Sequence, residues 1–354
     1  MEPTNLSFPW LALIDRPAFC VKDGVIAAMN SAAEHQSVQI GTAVSEIVTD
    51  NYEQYASLEN GTLSFAINVE GVKRNATITR TKEYDVFVLN SGFEDNRLQA
   101  LALAAKQLRI PLSNVMLAAD QLVTNQNLSN QKQAHLLNQG FLQLLRIIGN
   151  MSDAGTYQQA GIKNMETVNF TAVFDEVMEK IHTTLSCSNI QLHYTGLDYA
   201  VFGLGNSEKL ERAIYNLLSN ALKFTAPGGT VEVELTKKDH ILSFAVTNSQ
   251  PEQNAAAAYW NQYQREPAIE ESRFGLGLGM SLIQATAISH GGTVLIDHPA
   301  VDKIRVTMTI TIKQDHSGNL RSPVIHIGDY AGGRDKSLLE LSEFLPADAY
   351  EDVH

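Results

Sequence analysis

Asn216, Asn220 and Lys223 fall within NLLSNALKF, two carboxamides one helical turn apart with an ammonium on the adjacent face. On a helix, that spacing points all three at one spot. Carboxamide oxygens are hard donors of the kind magnesium takes, and an ammonium pairs with phosphate, so the trio could hold a magnesium triphosphate. Downstream, FGLGLG sets Gly275, Gly277 and Gly279 ahead of a helix that begins near Met280. Backbone amides without a Cβ beside them, at the start of a helix, can approach phosphate oxygens closely.

The elements that must position these residues are legible around them. SEKLERAIYNLLSNALKFT has the long apolar face of a helix and stops at Pro227-Gly228-Gly229. NFTAVFDEVMEKIHTTL reads as a second amphipathic helix. IQLHYTG, AVFGLG, TVEVELTKK, ILSFAVTN and KIRVTMTITIK read as strands, so residues 158–314 predict an α/β sandwich. Ahead of it, Leu98, Leu101, Ala105, Leu108, Leu112, Val115, Ala119 and Leu122 repeat in heptad steps. Ala134, Leu137, Phe141, Leu144, Ile148 and Met151 repeat the pattern after the polar connector TNQNLSN. Two such helices predict an antiparallel hairpin over 93–157. One hairpin cannot cover both seams, so a homodimer closing a four-helix bundle is expected.

Residues 1–92 predict a small α+β unit: strands around an Asp23-Gly24 turn, short helices, then three β-rich runs punctuated at Glu70-Gly71 and Lys82-Glu83. The stretch 315–354 is an acidic, turn-rich tail in which DYAGG and LLELSEFLP are the segments able to dock. With 26 Lys and Arg against 39 Asp and Glu, the net charge of −13 repels a phosphate backbone and no local basic patch reverses it, so nucleic acid is not expected as a partner. The early residues carry acidic side chains and only a five-residue apolar run, so no signal peptide or membrane span is expected and the chain reads as cytoplasmic. Cys20 and Cys187 lie in different predicted domains without metal-ligand spacing and read as small buried hydrophobes.

Together with YWNQYQR before the glycines and SHGG after them, the third region resembles the Bergerat-type ATP-binding domain of sensor histidine kinases. The resemblance implies that Asn216 and Asn220 hold magnesium, that Lys223 and Gly275, Gly277 and Gly279 meet the phosphates, and that Trp260 and Tyr263 form the aromatic box. His290 in SHGG reads as a packed helix-end residue. The hairpin then resembles the dimerisation and phosphoacceptor unit of the same kinases, and residues 1–92 resemble a PAS sensor, with Asn30 where that family often has Asn. The whole is an α+β multidomain chain in the order sensor, hairpin, ATPase.

The departures bear on chemistry. Where the family has a motif like HELRTPL, this chain has KQLRIPL. Lys106 replaces the accepting histidine, and an ammonium of reference pKa about 10.4 is protonated and not nucleophilic at neutrality. Gln107 replaces the carboxylate that acts as general base, and Ile110 replaces the Thr or Asn that positions water. Leu108, Arg109, Pro111 and Leu112, which set packing and the bend, match. Asn248 stands for the Asp that accepts from the adenine amino group, which weakens that hydrogen bond by a factor of about two. Gln250 and Glu252 stand for glycines.

The resemblance therefore implies a dimeric homologue that binds ATP and Mg2+ weakly, does not autophosphorylate, and docks a response regulator or pairs with a second histidine kinase. The alternative is an active phosphorelay kinase that phosphorylates a partner or another acceptor such as His135. A third reading leaves the activity to a ligand-sensing PAS-like unit with the rest as scaffold.

Overall fold

The computed structural model describes residues 8–14, 16–59, 61–89, 131–160, 165–185, 188–249, 278–313, 335–342, 344, 345 and 349, together with helical positions 108, 112, 113, 116 and 119. Strands β1 (Ala18–Lys22) and β2 (Val25–Met29) form a hairpin. Three short helices follow, α1 (Ser31–Glu34), α2 (Val44–Ile47) and α3 (Tyr52–Ala56), and then β3 (Gly61–Val69), β4 (Val72–Arg80) and β5 (Asp85–Leu89). The turns are the expected ones. Asp23 and Gly24 have φ of 52° and 78°, and Glu70 and Gly71 have 50° and 83°, the paired positive dihedrals of a tight hairpin turn.

Antiparallel pairing gives the order β2-β1-β5-β4-β3, with Phe19, Phe65 and Phe87 fully buried beneath the short helices. Asn30 closes this unit. Its Oδ1 accepts from the Ala18 and Ala33 amides, both at 3.0 Å, and its Nδ2 donates to the carbonyls of Ile14 and Arg16 at 2.9 and 2.7 Å. One side chain caps α1 and ties down the chain that enters β1.

In the second region, helix α4 (Gln131–Ala160) forms as the heptads predict. Leu108, Leu137 and Leu144 are left 56%, 42% and 47% exposed, whereas Phe141 packs against the core and Ile148 is buried, so the predicted seam is covered in part. Lys106, Gln107 and Ile110 lie outside the described residues.

The third region runs β6 (Glu166–Asn169), α5 (Phe170–Thr184), β7 (Gln191–Thr195), β8 (Phe202–Gly205) and α6 (Ser207–Phe224). It continues with β9 (Thr230–Lys238), β10 (Ile241–Ser249), α7 (Leu278–Ser289), β11 (Val294–Ala300) and β12 (Lys303–Thr311). Helices α5, α6 and α7 share one core with the sheet, which includes Phe174 stacked on Phe244 at 4.7 Å between ring centroids. Strands β6 and β11 are additions to the sequence expectation; β11 reads poorly because Asp297, His298 and Pro299 interrupt its apolar run.

The two sheets are one. Strand β3 pairs antiparallel with β11, Leu63 opposite Leu295, to give the ten-stranded order β2-β1-β5-β4-β3-β11-β12-β10-β9-β7. Gly61 permits the join: its φ is +102°, and a Cβ there would lie 2.5 Å from the carbonyl oxygen of Ile296. Gln284 on α7 reaches across and donates to Ser64 Oγ at 3.1 Å in a buried contact. Finally, α8 (Lys336–Glu340) folds back against α4, α5 and α6, so LLELSEFLP does dock, whereas DYAGG lies outside the described residues. Among the described residues no helix is long and apolar enough to cross a membrane.

Candidate functional site

Helix α6 begins with Asn206 as its cap, the side chain accepting from the Lys209 amide at 2.9 Å. Glu208 lies in its first turn and Lys223 in its last, which suits the helix dipole at both ends. The apolar face turned to the core carries the polar Asn216 with it, only 1% exposed. Asn216 Nδ2 donates to the Arg212 carbonyl at 2.9 Å, while its Oδ1 has no hydrogen-bond partner among the described residues. Leaving a buried carbonyl oxygen unmatched costs about 1–3 kcal/mol, so a ligand, an ion or an ordered water is needed to complete the set.

That orphan oxygen faces the first turn of α7. A Cβ built on Gly279 would lie 2.9 Å from Asn216 Oδ1 and 3.8 Å from Asn220 Nδ2. Both carboxamides therefore converge on one stretch of bare backbone in the first described turn of α7, and the first N–H groups of a helix favour an anion. Ser219, equally buried on the same helix, carries a second oxygen, a hydroxyl, without a hydrogen-bond partner among the described residues. It escaped the sequence reading, although its i+3 spacing from Asn216 was the available signal.

A hard carboxamide oxygen from Asn216 at the first described turn of α7, with the Asn220 carboxamide beside it, fits a magnesium-bound phosphate chain. Among the described residues no group of three His, Cys, Asp or Glu side chains gathers to offer a different cation site. Lys223 is half-buried in the last turn. Asn248 sits at the end of β10 opposite Val231 and Ile304, nearly buried, its Nδ2 donating to the Ser249 carbonyl at 3.4 Å. Its neighbour Ser249 faces the turn after α6: a Cβ on Gly229 would meet Ser249 Oγ at 2.8 Å. Gly275, Gly277, Trp260 and Tyr263 lie outside the described residues.

His290 holds the two helices in register, as a packed residue should. Its Nδ1 lies 2.7 Å from the Thr286 carbonyl, which can only accept, so the proton is there. Its Nε2 then accepts from the amide of Asn206, the cap of α6, at 3.1 Å. The end of α7 is thereby tied to the start of α6. Burial drives the imidazole pKa down to about 4, against the opposing hydrogen bond to Thr286, with Lys209 and Lys313 adding to the depression. The ring is neutral at physiological pH and both nitrogens are engaged, which leaves it no catalytic capacity.

Residues 205–316 match the histidine kinase-, DNA gyrase B- and HSP90-like ATPase family. Sensor histidine kinase CusS of Escherichia coli O157:H7 is 25% identical over 220 residues, covering 60% of this chain and 43% of that protein. The signal transduction histidine-protein kinase/phosphatase MprB of Mycolicibacterium smegmatis is 28% identical over 206 residues, covering 55% and 40%. The chain thus spans about two fifths of the length of these curated relatives. Among solved structures, full-length ShkA in complex with AMPPNP superposes with a TM-score of 0.49 at 19% identity, covering 61% of this chain and 46% of that one. The chain is a homologue of sensor histidine kinases, with the match to the ATPase family confined to residues 205–316.

Proposed function

We propose that this chain is a dimeric signalling or docking member of two-component signal transduction that binds a magnesium nucleotide and does not phosphorylate itself. The observation that carries the nucleotide half is the convergence of Asn216 Oδ1, buried and unmatched, and Asn220 on the bare backbone of Gly279. When bound, magnesium neutralises phosphate charge. Asn216 and Asn220 orient that ion, and the amides at the start of α7 receive the phosphate oxygens, with Gly275, Gly277 and Lys223 completing the cradle. Asn248 receives the adenine amino group through a neutral oxygen, so affinity is modest.

The catalytic half is silent because Lys106, Gln107 and Ile110 replace the acceptor, the base and the water-positioning side chain together. His135, whose Nδ1 is shut off from solvent, would have only Nε2 to offer as an alternative acceptor. Dimerisation through the hairpin is supported by the exposed Leu108, Leu137 and Leu144, and the bundle so formed presents its surface to a response regulator or a second kinase. Residues 1–92 act as a PAS-like sensor, 93–157 as the hairpin and 158–314 as the ATPase domain, in the cytoplasm.

Two measurements test this reading. Titration of the full chain with Mg-ATP is expected to give a binding isotherm that Asn220→Ala abolishes; no binding by either protein overturns the nucleotide half. Incubation with ATP labelled at the γ-phosphate is expected to leave no acid-labile phosphoprotein, and a labelled chain overturns the silent half. Label on an added receiver domain would instead support the partner-directed kinase.

A further inference from the structure

The geometry points to a clasp: the C-terminal segment Asp335–Leu345 straps the ATPase domain onto the second hairpin helix and holds the two in one posture. Three bodies meet at Glu340, whose side chain is wholly buried. Its Oε2 lies 3.2 Å from Arg146 Nε, on the hairpin helix α4, and its Oε1 lies 3.8 Å from Arg212 Nε, on the ATPase helix α6. Both arginines are themselves about 95% buried. Arg212 also lies flat on the hairpin helix: its Nη2 donates to Asn150 at 3.0 Å and lies 3.0 Å from where a Cβ on Gly149 would be.

The rest of the strap divides between the two bodies. Its first half is fixed to the ATPase domain, with Lys336 donating to Glu211 at 2.6 Å and Ser337 Oγ 2.6 Å from Thr184 Oγ1. Its second half is fixed to the hairpin: Gln143 donates to the Ser342 carbonyl at 2.8 Å and Gln139 to the Leu345 carbonyl at 2.7 Å. Leu339, Leu341 and Leu345 are buried in the core that the hairpin helix, through Leu142, shares with the ATPase domain.

This arrangement has two states and little between them. A carboxylate out of water is tolerated only while a guanidinium faces it, and removing one partner of a buried ion pair is strongly destabilising. If the ATPase domain swings from the hairpin, Glu340 loses Arg146 or Arg212, and the strap must leave with it. Gln139, Gln143, Arg146 and Asn150 line one face of α4, whereas the exposed Leu137 and Leu144 lie on another. The clasp therefore closes without covering Leu137 or Leu144. The ATPase domain of a clasped chain is docked on the second hairpin helix and cannot be presented elsewhere until the strap releases.

Hydrogen exchange on the full chain tests the clasp. In Glu340→Gln the amides of residues 337–342 and those of α4 around 139–150 are expected to exchange together about 100-fold faster, while β9, β10 and β12 keep their protection. Faster exchange in the strap alone, with α4 unchanged, overturns the inference and leaves the segment a local cover. Should Glu340→Gln loosen the whole ATPase sheet, Gln139→Ala/Gln143→Ala decides. It removes only donors from α4, and it must free the strap and the hairpin helix together with the sheet intact; unchanged exchange of either overturns the clasp.

Discussion

The buried imidazole of His290 sets a pH dependence that can be worked out in advance. Its native pKa near 4 lies below the ordinary 6.5, so between those values the unfolded chain takes up a proton that the folded chain refuses. Stability is then full above about pH 6.5 and falls as the pH drops towards 4. The full difference of 2.5 pKa units corresponds to about 3 kcal/mol, of which about 2 kcal/mol is lost between pH 7.5 and pH 5.

The structural reason is specific. A proton on Nε2 would face the Asn206 amide donor, breaking the tie between α7 and the start of α6. His290→Gln offers an acceptor and a donor without a titrating group. Urea unfolding of both proteins, followed by circular dichroism at pH 7.5 and 5.0, compares them with every other histidine held in common. The wild type is expected to lose about 2 kcal/mol more than the variant over that range. Parallel losses would refute the reasoning, because they would mean the ring is already solvated or already charged in the native state.

Three further outcomes follow from single positions. Asn30→Ala removes the side-chain hydrogen bonds to Ala18, Ala33, Ile14 and Arg16 and should cost the first sheet about 3 kcal/mol, measured by thermal unfolding. Gly61→Ala combines an unfavourable positive φ with a close approach to Ile296 and should open the β3–β11 seam. Amide exchange at Thr62–Ser64 and Val294–Ile296 is expected to rise while the remaining strands hold. Gly279→Ala puts a methyl group against Asn216 Oδ1, so Mg-ATP affinity should fall at least about tenfold with the unfolding midpoint held or raised, since Ala suits a helix better than Gly.

What could be read in advance was local, and what could not was carried by contacts distant in sequence. Asn216 and Asn220 announce themselves because an i, i+4 pair is fixed by helix pitch alone. The turns at Asp23-Gly24 and Glu70-Gly71 do so because few residue pairs accept two positive φ angles in succession. The seam between β3 and β11 has no such signature. Thr62, Leu63 and Ser64 alternate like any half-buried strand, and which edge they pair with is decided by a partner more than 200 residues away.

The clasp is harder still, because its charges read as surface. Arg146 and Arg212 on helices and Glu340 in an acidic tail would each be assigned to solvent by type. Only their mutual approach makes burial tolerable, so no one of the three reveals the other two. The candidate nucleotide site was therefore partly legible, and the proposed posture of the ATPase domain was not. A phosphate cradle must be built from particular side chains at fixed spacings within one or two elements. A docking posture is settled by whichever distant charge completes a buried set, and this chain completes it with a segment beyond the last strand of its ATPase sheet.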